Sequence, residues 1–242
     1  MGFKDAFERF FKKYLYNPAW KCSVCGKEIF DGKYFCTECE EKFPYNNKYI
    51  CSHCGRQTIA ATAYCSTCSE VLTAIDRGRS VFTYEGDIPL LIMGMKYDNR
   101  RYLVDYFAEK LSFLYLQNYF NADYLTYVPM TDDAKSRRGY NQSELLAQKV
   151  SELTGVPVSH CVIKVKETKR QAKLKRKERL KNLEGAFKIN DKTSVKGKTF
   201  VIIDDVSTTG ATAQAVAERL KKAGAQYVYL LSVASTPPYD KY

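Results

Sequence analysis

Eight cysteines stand in four Cys-x-x-Cys pairs: Cys22/Cys25, Cys36/Cys39, Cys51/Cys54 and Cys65/Cys68. Ten, eleven and ten residues separate successive pairs. Thiolates at this spacing suit zinc, because each pair can sit on a tight knuckle and two knuckles close a tetrahedral site. Gly26 and Gly55 follow the first pair of each half, where a knuckle often needs positive φ. The repeat predicts two ribbons, one on Cys22, Cys25, Cys36 and Cys39, the other on Cys51, Cys54, Cys65 and Cys68. A cross-braced pairing, first with third and second with fourth, uses the same residues and stays open. Four sulfurs per ion leave no open position, so two structural zinc ions are expected. Redox thiols would be the reading of a single pair, and even spacing over four pairs favours metal. Few apolar residues lie between the pairs, so zinc must supply much of the stability. His53, inside the third pair, reads as an exposed loop residue.

A second constellation is Val201-Ile202-Ile203-Asp204-Asp205-Val206-Ser207-Thr208-Thr209-Gly210-Ala211-Thr212. An apolar strand delivers two acids to its carboxyl end, and a small, hydroxylated turn then opens a helix. Free amides and hydroxyls at a helix start bind anions. The two carboxylates would repel a phosphate but accept hydrogen bonds from vicinal sugar hydroxyls. The segment therefore reads as a site for a ribose 5-phosphate. It is neither a Walker A loop nor a Gly-x-Gly-x-x-Gly turn. An ordinary capped strand–helix turn is the competing reading. Adjacent buried aspartates argue against it, because unpaired they cost stability.

Ser136-Arg137-Arg138-Gly139-Tyr140-Asn141-Gln142 offers two arginines for bidentate phosphate contacts and a tyrosine able to stack on a base. As a plain helix start, such a basic stretch would be poorly placed for the helix dipole. Lys96 reads either as a further anion contact or as a solvated helix end. Lys164–Lys181 holds ten basic and two acidic residues, a net +8 of the chain's +11. Its Lys169, Arg170, Lys173, Lys175, Arg176, Lys177, Arg179 and Lys181 suit a lid over a diphosphate or a track for a nucleic-acid backbone. An exposed face is the bland alternative. Cys161 beside His160 is read as a buried thiol, since strand neighbours point to opposite faces.

The elements that must position these residues follow from periodicity. Phe3, Phe7, Phe10, Phe11, Tyr14 and Leu15 predict an amphipathic helix over 3–16. Strands are expected over 80–84, 124–129, 161–165, 199–206 and 227–234. Helices are expected over 88–97, 102–119, 142–153 (capped by Asn141) and 212–223. Apolar strands alternating with helices indicate an α/β fold with a parallel sheet covered on both faces. Ligands of such sheets sit beyond the carboxyl ends of the strands, which selects the loops after Val128 and after Ile203. The expected organisation is an N-terminal helix over 1–19, a double zinc ribbon over 20–70 and the sheet domain over 71–242. The 242 residues are 45% hydrophobic, which argues against disorder. No run approaches the roughly 18 apolar residues of a membrane helix, and the first residues lack a secretory h-region. A cytoplasmic location without membrane insertion is expected.

The Asp204–Thr212 segment resembles the phosphoribosyl-diphosphate loop of type I phosphoribosyltransferases. That resemblance implies that Asp204 and Asp205 hold the ribose 2- and 3-hydroxyls. Val206, Ser207, Thr208, Thr209, Gly210, Ala211 and Thr212 would cradle the 5-phosphate. Val128, Pro129, Met130 and Thr131 would form the loop for the diphosphate, with Mg2+ carried mainly by the diphosphate itself. From about residue 20 onward the chain resembles the bacterial ComF family. The four cysteine pairs, the Lys96 segment, Val128-Pro129, Arg138–Gln142, Arg176–Phe187 and Asp204–Thr212 recur in matching order and spacing. The resemblance implies a double zinc ribbon joined to a type I phosphoribosyltransferase-like sheet flanked by helices. It implies a role in handling incoming single-stranded DNA during natural transformation, with a helicase partner. Two readings follow: a nucleic-acid and partner-binding module with a phosphoribosyl-diphosphate site, or an active transferase on an unidentified acceptor.

Overall fold

The computed structural model describes residues 20–69, 73–168 and 182–237. The helix expected over 3–16 and the basic residues from Lys169 to Lys181 lie outside the described residues. The chain divides into two compact units, residues 1–43 and 44–242.

In the first unit, the knuckle Cys22–Gly26 closes through Gly26 N–H to Cys22 O at 2.9 Å. Gly26 carries the required φ of +74°. Helix α1 (Thr37–Glu40) starts from its N-cap Cys36 and carries Cys39. The rings of Phe35 and Phe43 meet edge-on at 5.0 Å, and Ile29 is buried with them.

In the second unit, the same ribbon recurs at an offset of 29 positions, from Cys22 to Cys51 and from Cys39 to Cys68. Gly55 N–H donates to Cys51 O at 2.9 Å, and α2 (Ser66–Ser69) corresponds to α1. This ribbon is built into the sheet. Gly78 N–H donates to His53 O at 2.7 Å, and Arg79 Nη1 donates to Ser52 O at 2.9 Å. A Cβ on Gly55 would sit 2.4 Å from Gly78 O, so only glycine permits the approach.

The strands are β1 (Arg77–Thr83), β2 (Tyr124–Tyr127), β3 (Val162–Lys164), β4 (Phe187–Ile189), β5 (Thr199–Ser207) and β6 (Tyr227–Ser235). Four of them form a parallel sheet in the order β1-β6-β5-β2, and β3 pairs antiparallel with β4. The helices are α3 (Ile88–Tyr97), α4 (Leu103–Gln117), α5 (Asp132–Arg138), α6 (Gln142–Thr154) and α7 (Ala211–Lys222). The α/β fold expected from the sequence is the one observed, except that the strand expected over 161–165 leaves the parallel sheet and pairs with β4. Helix α7 covers one face, where Phe200, Ile202, Val216, Leu220, Val228 and Leu230 pack together. Helices α4 and α6 pack on the strands and on each other. Residues Thr199–Asp205 are all buried, as a strand covered on both faces must be.

Four elements were not expected: the one-turn helices α1 and α2, helix α5 and strand β4. Helix α5 begins at Thr131, whose Oγ1 accepts from Ala134 N–H at 3.3 Å, and it ends at Gly139 with φ +86°. Arg137 and Arg138 thus lie in a last turn, where cations suit the dipole, rather than at a helix start. Strand β4 is only three residues long, too short for a strand periodicity to show in the sequence.

Candidate functional site

Each cysteine tetrad gathers locally. The sulfurs of Cys22, Cys25, Cys36 and Cys39 lie within 4.8 Å of one another, as do those of Cys51, Cys54, Cys65 and Cys68. This is sequential pairing, not cross-bracing. Sulfur separations of 3.8 Å (Cys25–Cys36) and 3.7 Å (Cys54–Cys65) match the edge of a tetrahedron with bonds of about 2.3 Å. The eight thiols therefore fit two structural zinc ions. His53 is no ligand and is not fully exposed. It is half-buried, with Nε2 3.0 Å from Thr73 Oγ1 and its ring beside Tyr64.

At the carboxyl end of β5, Asp204 and Asp205 are 8% and 9% exposed. Asp204 Oδ1 accepts from Ser143 Oγ at 3.1 Å and from Asp205 N–H at 2.9 Å. Burial, together with the neighbouring Asp205 carboxylate, pushes the Asp204 carboxyl up to about 7, against the pull of Lys96. Lys96 Nζ pairs with Asp205 Oδ2 at 2.7 Å. Lys96 is therefore a largely buried ion-pair partner rather than a solvated helix end. Ser143 was not anticipated. It lies in the first turn of α6, and only the docking of α6 on β5 brings it to Asp204.

Beyond the acids β5 continues through Val206 and Ser207, and the chain then turns through Thr208 and Thr209 to Gly210, whose φ is +75°; α7 starts at Ala211 with Thr212 in its first turn. Thr209 Oγ1 accepts from Ala211 N–H at 3.3 Å, and Thr236 Oγ1 donates to Thr208 O at 2.8 Å. The turn is thus held by its own hydroxyls and by the residue after β6.

Strand β2 lies beside β5 with Tyr127 opposite Ile203, so Val128, Pro129, Met130 and Thr131 leave the same sheet edge as the acids. Beside them a cavity of about 710 Å³ is lined by Pro129–Asp133, Lys135, Glu144, His160 and β3. Tyr127 OH donates to Glu144 Oε1 at 3.2 Å and lies 2.9 Å from His160 Nδ1. Burial, then Glu144, pushes the Tyr127 phenol up. Cys161 is buried, and burial raises its thiol.

The arginine segment is engaged in other ways than expected. Arg137 pairs with Glu167. Arg138 donates to Gln142 Oε1 at 2.9 Å and stacks over Tyr97. Tyr140 is 8% exposed, donates its hydroxyl to Met95 O, and carries the Arg101 guanidinium over its ring. Its expected stacking on a base is thereby corrected, because that face is taken. Asn141 caps α6 by accepting from Ser143 N–H at 3.1 Å, and its amide donates to Val128 O at 3.0 Å.

Comparison with known proteins agrees with this fold. Residues 12–69 match the double zinc ribbon domain and residues 111–240 the phosphoribosyl transferase domain. Competence protein F of Haemophilus influenzae is 34% identical over 109 residues, covering 44% of this chain and 48% of that protein. The DNA utilization protein YhgH of Salmonella typhi is 32% identical over 167 residues, covering 65% of this chain and 71% of that protein. Competence protein ComFC of Bacillus subtilis is 28% identical over 149 residues, covering 61% and 59%. The match thus spans about half the length of the Haemophilus relative. The chain belongs to the ComF family of competence and DNA-utilization proteins, in which a double zinc ribbon is joined to a phosphoribosyl transferase domain.

Proposed function

We propose that this protein binds phosphoribosyl diphosphate at the shared carboxyl edge of β2 and β5 and handles single-stranded DNA in the cytoplasm during transformation. The observation that carries the ligand reading is the buried Asp204–Asp205 pair on β5, two residues before the Thr208–Gly210 turn that opens α7. Buried carboxylates ahead of an anion-binding helix start match a sugar diol followed by its phosphate. Asp204 and Asp205 accept from the ribose hydroxyls, and residues 206–212 hold the 5-phosphate. Val128–Thr131 meets the diphosphate, with Mg2+ arriving on the diphosphate oxygens rather than in a protein cage. The names of the relatives support the competence role, and the charge of Lys169–Lys181 supports the DNA contact. A DNA-translocating helicase is the proposed protein partner. Among the described residues no helix is long and apolar enough to cross a membrane.

A second reading, turnover by transfer to an acceptor, is favoured by the cavity of about 710 Å³ beside Pro129–Asp133. It leaves space next to where the diphosphate departs. One experiment separates the two readings. The protein is incubated with phosphoribosyl diphosphate, Mg2+ and a panel of bases and amines while released diphosphate is assayed. Binding without release supports the module, release supports the transferase, and neither binding nor release removes the site.

A further inference from the structure

Arg56 directly follows the second knuckle, and its carbonyl accepts from Cys51 N–H at 2.8 Å. It is 3% exposed. Its Nε and Nη1 have no hydrogen-bond partner among the described residues. Its Nη2 lies 3.4 Å from the place a Cβ on Gly210 would occupy. A cavity of about 70 Å³ joins Arg56 to Ser207, Thr209, Gly210 and Ala211. That is room for more than one water-sized group.

This placement is costly as it stands. A guanidinium presents five donors, and buried donors left without hydrogen-bond partners are disfavoured. It also faces the N-terminal end of the twelve-residue helix α7, whose dipole repels a cation. An anion lodged between them resolves both problems at once. It accepts from the free N–H groups of Arg56 and from the helix start. The equivalent residue of the first ribbon, 29 positions earlier, is Lys27, which reaches the exposed Glu38 at 3.2 Å instead. The buried arginine is thus a property of the ribbon built into the sheet, not of ribbons as such.

We propose that Arg56 of the second ribbon is a ligand of the phosphate held by Ser207–Ala211, so that metal loading of this ribbon and affinity for the sugar phosphate are coupled. The inference rests on the phosphoribosyl reading above and adds a binding residue from outside the sheet. The coupling follows from geometry, because the knuckle closed by Cys51 and Cys54 fixes where Arg56 starts. Coupling of this kind is reciprocal: a phosphate that engages Arg56 must also hold the metal site closed.

The test titrates ribose 5-phosphate and, separately, ribose into the full chain by calorimetry. The chains compared are wild type, Arg56→Lys, Arg56→Gln and the double variant Asp204→Asn with Asp205→Asn. Zinc content is measured for each. Arg56→Gln is expected to weaken ribose 5-phosphate at least about tenfold, with Arg56→Lys between it and wild type. Undiminished affinity in a zinc-replete Arg56→Gln overturns the role of Arg56 and leaves the site reading intact. No binding by wild type overturns the site reading itself, and this proposal with it. If Arg56→Gln does not fold, wild type alone decides through the Arg56 Nε–H resonance. That signal shifts with saturating ribose 5-phosphate if the proposal holds and stays put if it does not.

Discussion

Lys96 Nζ stands 2.7 Å from Asp205 Oδ2, with 21% and 12% of the two side chains exposed. Helix α3 thereby brings a cation to the two acids near the carboxyl end of β5. Burial alone would pull the Lys96 ammonium down, but the Asp205 carboxylate outweighs it and holds Lys96 above its ordinary value. Removing one partner of such a pair leaves the other charge uncompensated. Lys96→Gln is therefore expected to cost about 3 kcal/mol in denaturant unfolding at pH 8. The loss should shrink toward pH 5, where Asp204 is protonated and Lys96 has one carboxylate fewer to offset. A loss equal at both pH values would trace the effect to packing instead.

Asp204 carries the opposite signature. Burial and Asp205 raise its carboxyl from an ordinary 3.8 to about 7. A carboxyl raised on folding favours the folded state below its unfolded value, and that advantage is lost as pH rises through about 7. Asp204→Asn should remove this penalty, raising stability at pH 8 by on the order of 2 kcal/mol and changing little at pH 4. The same variant should lose phosphoribosyl-diphosphate binding, because the amide cannot replace a carboxylate toward two hydroxyls. Thermal melts at the two pH values and calorimetry of one preparation read both effects. Lower stability at pH 8 would contradict the assigned strain.

The chain showed some of this plainly and concealed the rest. The tetrads and the parallel sheet were legible because their signals are local: cysteine spacing, continuous apolar strands, glycines at knuckles. The acids of β5 were legible for the same reason. Ser143 and Arg56 were not, since each reaches the β5 end from an element distant in sequence, and nothing in their neighbours marks them. Lys96 was visible as a basic residue at a helix end, but its partner lies 109 positions away and depends on how α3 packs. Tyr140 misled, because a tyrosine beside arginines reads the same whether its ring is open or already covered. Helix α5 was missed because its seven residues carry no apolar stripe, only a cap and charges.

Gly55 joins the second ribbon to β1. Its φ is +73°, and an added Cβ would meet Gly78 O at 2.4 Å and Arg79 Cα at 2.6 Å. Both are backbone atoms that cannot rotate away. Gly26, at the same point of the first ribbon, has a φ of +74° and no atom within 4 Å of that place. Gly55→Ala should therefore cost at least about 2 kcal/mol, while Gly26→Ala should cost only the conformational penalty of about 1 kcal/mol. Zinc release to a chelator should accelerate for one ion of two in Gly55→Ala. Equal behaviour of the two variants would mean that the second ribbon is not tied to β1 as described.

The basic residues between Lys169 and Lys181 give the DNA proposal its sharpest test, because a phosphate track and a diphosphate lid respond differently to salt. Each phosphate contact on a single strand contributes about 0.7 to the slope of log affinity against log salt. Replacing Lys173, Lys175, Arg176 and Lys177 by glutamine removes four such charges. If they track a DNA backbone, the slope for an unstructured oligonucleotide should fall by up to about 3, with phosphoribosyl-diphosphate affinity unchanged. If they cover the diphosphate, affinity for phosphoribosyl diphosphate should fall and ribose 5-phosphate should bind as before, since it lacks that group. Fluorescence anisotropy at several salt concentrations and calorimetry on the same variant distinguish these outcomes. An unchanged slope together with unchanged ligand affinity would move the DNA surface to another part of the chain.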